Sequence, residues 1–108
     1  MAKSLYVLVH HLSVQRCTLL SNRVRKVWDE IERIQSYEDF ILCPGDYKRV
    51  VQLMPSDAKT RKVMVCGAFR DRKKHQLCVD QTCMILKKNG YDAEIYRKAT
   101  LDGDFNRR

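Results

Sequence analysis

The stretch Arg61–Thr100, RKVMVCGAFRDRKKHQLCVDQTCMILKKNGYDAEIYRKAT, decides the fold. Lys62 to Ala68 is an apolar, β-branched run closed by glycine, which predicts a buried strand. Asp71 is a natural cap for the helix that follows, whose apolar residues Leu77, Cys78, Val79, Cys83, Met84, Ile85 and Leu86 make a wide buried face. Lys87 and Lys88 complement the carbonyl end of the helix dipole, and Asn89-Gly90 supplies a left-handed stop. Tyr91 to Tyr96 then reads as a more polar strand at a sheet edge. The unit is therefore strand, basic loop, helix, strand, and its helix opens on Arg70, Arg72, Lys73, Lys74 and His75.

The same alternation continues toward the N-terminus. Ser4 to Val9, SLYVLV, predicts another buried strand, ended by polar His10 and His11. Ser13 can cap one long helix to Gln35, since Val14, Cys17, Leu20, Val24, Val27, Trp28, Ile31 and Ile34 recur at helical spacing. On its polar face, Arg25 with Asp29 and Lys26 with Glu30 are spaced as ion pairs. Asp39 to Cys43 is a third strand, stopped by Pro44-Gly45. The segment 47–54 reads as a short helix capped by Asp46, although Tyr47, Arg49, Val51 and Leu53 also alternate as a strand would. Ser56 to Arg61 is a polar connector. The expected fold is α/β: a small Rossmann-like three-layer sandwich with a four-stranded, mostly parallel sheet. If 47–54 is a strand, the alternative is α+β with a central hairpin. Residues 1–100 form the single domain and 101–108 a flexible tail.

A chain of 108 residues has room for one modest core, and 44% hydrophobic with 31% charged residues is ordinary for a globular domain. No apolar run is long enough to span a membrane, and the start MAKSLYVLVHHLS lacks a secretory signal's cleavage site, so a cytoplasmic location is expected. The five cysteines sit in apolar segments, which suits buried thiols in a reducing compartment. Lys and Arg number 21 against 13 Asp and Glu, a net charge of +8 that favours encounter with a polyanion such as nucleic acid or a nucleotide, or with an acidic protein.

In a parallel sheet, ligands bind beyond the carboxyl ends of the strands. That edge gathers His10, His11, Cys43 and the segment from Cys66 to His75. A histidine near thiols fits a metal site or a Cys–His pair, but the chain has no C-x-x-C or C-x-x-H step, so no metal and no cofactor is assigned. Free cysteines at strand ends are ordinarily small core residues. Cationic side chains in a first helical turn oppose the dipole, and an anion held by that turn's amides would reverse the sign; Arg70, Arg72, Lys73, Lys74 and His75 are thus the anion-binding candidates. Neither G-x-G-x-x-G nor G-x-x-x-x-G-K-[ST] is present.

Val65-Cys66-Gly67, Cys78-Val79, Thr82, Gly90-Tyr91 and Ala99-Thr100 resemble the later half of isochorismatase-like cysteine hydrolases. The resemblance covers about a third of the chain. It implies that Cys78, in a C-V-x-x-T helix start, is a nucleophile. The chain departs from that pattern in having no Asp after the first strand, no catalytic Lys segment and a longer gap between Gly67 and Cys78. Three functions follow as expectations. The first is a non-catalytic basic module binding a polyanion or an acidic protein. The second is a cysteine-dependent hydrolase using Cys78 or Cys66, and the third is a small regulatory or inhibitory interaction protein.

Overall fold

A computed structural model describes residues 3–18, 22–43, 47–71, 73–74 and 76–103. Four strands form one sheet: β1 (Leu5–Val9), β2 (Asp39–Cys43), β3 (Lys62–Arg70) and β4 (Asp92–Asp102). Their order is β2-β1-β3-β4, and every neighbouring pair is parallel. Helices α1 (His11–Thr18) and α2 (Asn22–Tyr37) join β1 to β2; a 3-10 turn at Tyr47–Arg49 and α3 (Val50–Leu53) lead toward β3; α4 (Cys78–Lys88) joins β3 to β4. This is the expected α/β architecture, and the segment 47–54 is helical, so no central hairpin forms.

The central strand shows why the sequence folds this way. All five residues of β1 are buried, because a strand inside a parallel sheet is covered on both faces and needs an unbroken apolar run. Tyr6 and Leu8 face one layer, where Val14 of α1 and Val24, Ile31 and Ile34 of α2 close over them. Val7 and Val9 face the other, against Val50 of α3 and Val79, Cys83 and Leu86 of α4.

Several boundaries differ from those read in the sequence. The long N-terminal helix is two helices, with residues 19–21 between them outside the described set. Apolar periodicity ran through this step and masked the Ser21-Asn22 break signal, two residue types favoured at helix starts. Ser13 is not the cap: the His10 carbonyl accepts the amides of Ser13 (3.0 Å) and Val14 (3.2 Å), so the helix begins three residues earlier, at His11. Glu30 takes Arg33 and the Tyr96 hydroxyl rather than Lys26. Those two donors hold its carboxyl down at about 2. The proposed cap Asp46 lies outside the described residues. At the other end, β4 runs through Leu101, which is buried in the α1/α2 layer. The tail therefore cannot start at 101, and residues 104–108 are outside the described set.

The stop after α4 is as read. Asn89 ends the helix, Gly90 has φ +88°, its amide donates to Lys87 O (3.1 Å) and the Tyr91 amide to Leu86 O (3.0 Å). This doubly bonded left-handed stop satisfies two carbonyls left open by the helix end.

Arg61, read as part of a polar connector, is only 8% exposed. Its Nε donates to Lys3 O (2.7 Å), and Nη2 donates to Ser4 O (3.2 Å) and Asp39 Oδ2 (2.6 Å). One guanidinium thus ties together the amino ends of β1, β2 and β3. Arg61→Met keeps the apolar stem but leaves those acceptors without their donor. Stability should fall by about 2 kcal/mol. Urea unfolding followed by circular dichroism checks this; an unchanged midpoint would contradict the bridging role.

Candidate functional site

Sheet order locates the crevice. From β1 the chain crosses to β2 on one side, and from β3 it crosses to β4 on the other, so β1 and β3 are neighbours whose connections leave in opposite directions. Between such strands the carboxyl edge opens, because no crossover covers it. His10 follows the last residue of β1, and Cys78 opens the helix that follows β3.

The backbone around this edge is held from several directions. Gly67 pairs with Val9 and has φ +110°, and a Cβ there would lie 2.0 Å from the Val9 carbonyl oxygen. Only glycine lets β3 approach β1 this closely beside His10. His10 itself has φ +53°. This left-handed conformation is uncommon outside glycine, and its cost is met by hydrogen bonds on both sides. Its amide donates to Cys43 O (3.4 Å) and its carbonyl starts α1. Downstream, the Asp71 amide donates to Asp80 Oδ2 at 2.7 Å, which ties the end of β3 to the first turn of α4. Asp80 is 2% exposed, and its charge complements the amide end of that helix.

These supports bring His10 Nε2 to 3.0 Å from Cys78 Sγ, across 68 residues of sequence. With the ring proton on Nδ1, Nε2 accepts the thiol hydrogen. Cys78 is partly exposed, whereas Cys43, Cys66 and Cys83 are buried; all four are free thiols. Burial pushes the Cys78 thiol up, and its own backbone amide works in the opposite direction. A thiol in this state needs a base to become nucleophilic, and His10 stands where one is required. Leu77 precedes the helix without a side-chain cap, and the first intrahelical bond in this turn is Gln81 N to Leu77 O (2.9 Å). The amides of Cys78, Val79 and Asp80 come before it and have no helical carbonyl to donate to.

The other sequence candidates separate. The His11 ring lies 5.1 Å from that of Trp28 on the α1/α2 layer, away from Cys78. Cys43 is buried in the α3/α4 layer. Cys66 is fully buried in the opposite layer, its Sγ 3.6 Å from Val7 O, and desolvation pushes its thiol up to about 12; it is a core residue. The basic cluster does not open a helix. Arg70 is the last residue of β3, Lys73 and Lys74 lie in an exposed turn, and α4 starts at Cys78. Asp71 fails as a cap because its Oδ1 turns back onto the Lys73 amide (3.0 Å). Arg72 and His75 lie outside the described residues. Among the described residues no three His, Cys, Asp or Glu side chains form a metal-binding group, and no helix is long and apolar enough to cross a membrane.

The strand pattern placed His10 at this edge, but the Asp71 cap started the helix too early and left Cys78 inside it, whereas the C-V-x-x-T resemblance put Cys78 at a helix start, where α4 begins. The available signal was the run from Arg70 to Gln76, which has no apolar residue at helical spacing, so that Leu77 is the first residue able to join the buried face. No protein-family model, no curated protein and no solved structure matches the chain.

Proposed function

We propose that Cys78 and His10 form a thiol active site of the cysteine-hydrolase type, acting on the carbonyl of a small amide or ester. The observation that carries the reading is the 3.0 Å approach of Sγ and Nε2 at the point where the sheet reverses its winding. His10 takes the thiol proton as sulfur forms a bond to the carbonyl carbon, and the resulting oxyanion gathers on the amides at the start of α4. Collapse expels the amine or alcohol, which leaves with the proton from His10. Water, deprotonated by the same imidazole, then cleaves the thioester and releases the acid and the free thiol. The residues that resemble isochorismatase-like hydrolases name the same cysteine, and the position after the first strand, where that pattern has an Asp, holds a different base.

The basic-module reading for a polyanion or an acidic protein rested on a cationic cluster opening a helix. With Arg70 on β3 and Lys73 and Lys74 in a turn before α4, the Cys78–His10 pair is the stronger basis for a function. Limited iodoacetamide at neutral pH, mapped by peptide mass, tests it. Among Cys43, Cys66, Cys78 and Cys83, only Cys78 should be alkylated in the folded chain, about a hundredfold or more faster than the buried thiols. Uniformly slow alkylation of all four would remove the reading.

A further inference from the structure

Cys78 faces β1, and the opposite flank of α4 faces the edge strand β4. We infer that this second flank binds a small organic phosphate monoester. An open cleft of about 900 Å³ lies there, and its lining includes Arg70 from β3, Lys74 from the turn, Lys87 from α4 and Arg97 from β4. Such a volume suits a small-molecule ligand. Two carboxylates also line it: Glu94 Oε2 lies 3.2 Å from Lys62 Nζ, and Asp80 Oδ2 accepts the Asp71 amide. None of the four cations has an ion pair or side-chain hydrogen bond among the described residues.

Four positive charges around one cleft repel each other, and a dianion would turn this into attraction. Arg70 points to where it would sit. Its Nε is buried with no hydrogen-bond partner among the described residues, a donor that costs stability until an acceptor reaches it. Arg70 and Arg97 also line an adjoining recess of about 300 Å³ with Thr100 and Asp102. Two guanidinium forks at the boundary of both spaces suit the tetrahedral oxygens of a phosphate better than one carboxylate would. Met84, 42% exposed, and Ile95 supply an apolar wall in the larger space for the organic part. A phosphate head at the two arginines with its body against Met84 and Ile95 uses both features at once.

Calorimetric titration of the full chain with phenyl phosphate, inorganic phosphate, phenol and a single-stranded oligonucleotide tests this. Phenyl phosphate should bind about tenfold or more tighter than inorganic phosphate or phenol, since only it engages both parts of the cleft. Arg97→Gln, at an exposed position, should weaken it by about tenfold or more, with the unfolding curve unchanged. Lys73→Gln, outside the cleft, and Cys78→Ser should leave it unaltered; the latter separates this site from the thiol chemistry. Equal binding of phenyl phosphate and phenol, no effect of Arg97→Gln, or an oligonucleotide that outcompetes phenyl phosphate and depends equally on Lys73 would each overturn the assignment.

Discussion

Replacing Gly67 with Ala is expected to cost about 3–5 kcal/mol, enough to unfold much of the population of a domain this size at 25 °C. Two effects combine. The backbone at φ +110° lies outside the regions an L-residue adopts readily. The new methyl would also meet Val9 O at 2.0 Å, Val9 N at 2.8 Å and Val9 C at 2.9 Å, all backbone atoms of the central strand that cannot swing aside. Gly90→Ala is the control. It too has positive φ, +88°, but its nearest neighbour is the end of the Lys59 side chain at 3.9 Å. Only the left-handed backbone penalty of about 1–2 kcal/mol should appear there. Denaturant unfolding of the two variants isolates the steric part; equal losses would show that β3 and β1 are not held by that close approach.

Cys78→Ser should lower hydrolysis of a reactive short-chain nitrophenyl ester by about a thousandfold, because an alcohol is a far poorer nucleophile beside a neutral imidazole. His10 requires a substitution that respects its backbone. Asn tolerates the left-handed conformation at φ +53° but supplies no base, so His10→Asn should cost about a hundredfold with the fold intact. The double variant should be little worse than Cys78→Ser alone, since the two side chains act as one unit. Cys66→Ala leaves a small cavity in the α1/α2 layer and should lower stability by about 1 kcal/mol without changing turnover. Turnover that survives Cys78→Ser, or falls as far with Cys66→Ala, would contradict the assignment.

The strands and layers were legible because burial on both faces leaves a strong local signature. SLYVLV and KVMVCGA read as strands because β1 and β3 lie inside the covered sheet; DFILC, on the edge strand β2 where Leu42 is 55% exposed, was legible from its short apolar run before Pro44-Gly45, and the Asn89-Gly90 stop carries its own chemistry. Helix starts were less legible. Asp71 has the composition of a cap, yet its side chain bonds the Lys73 amide and its own amide is held by Asp80, so the helix waits until Leu77 can join the core. Leu101 was unreadable as part of a strand because its cover comes from α1 and α2, far away in sequence. The pair His10–Cys78 depends on crossover direction, which no short pattern encodes. Lys87 was read as a dipole partner, and the last strand was expected to end at Tyr96, one residue before Arg97; only the packing of α4 beside β4 shows that Lys87 and Arg97 share a cleft with Arg70 and Lys74.

The pH dependence of Cys78 alkylation in the native chain and in His10→Asn is the most direct measurement of the central pair. Burial alone raises the thiol, so without His10 the rate should be low at neutral pH and rise only in the alkaline range. With His10 present, the rate at pH 7 should be about tenfold or more higher and the rise should begin at lower pH. Coincident profiles for the two proteins would mean that the imidazole 3.0 Å from the sulfur does not activate it.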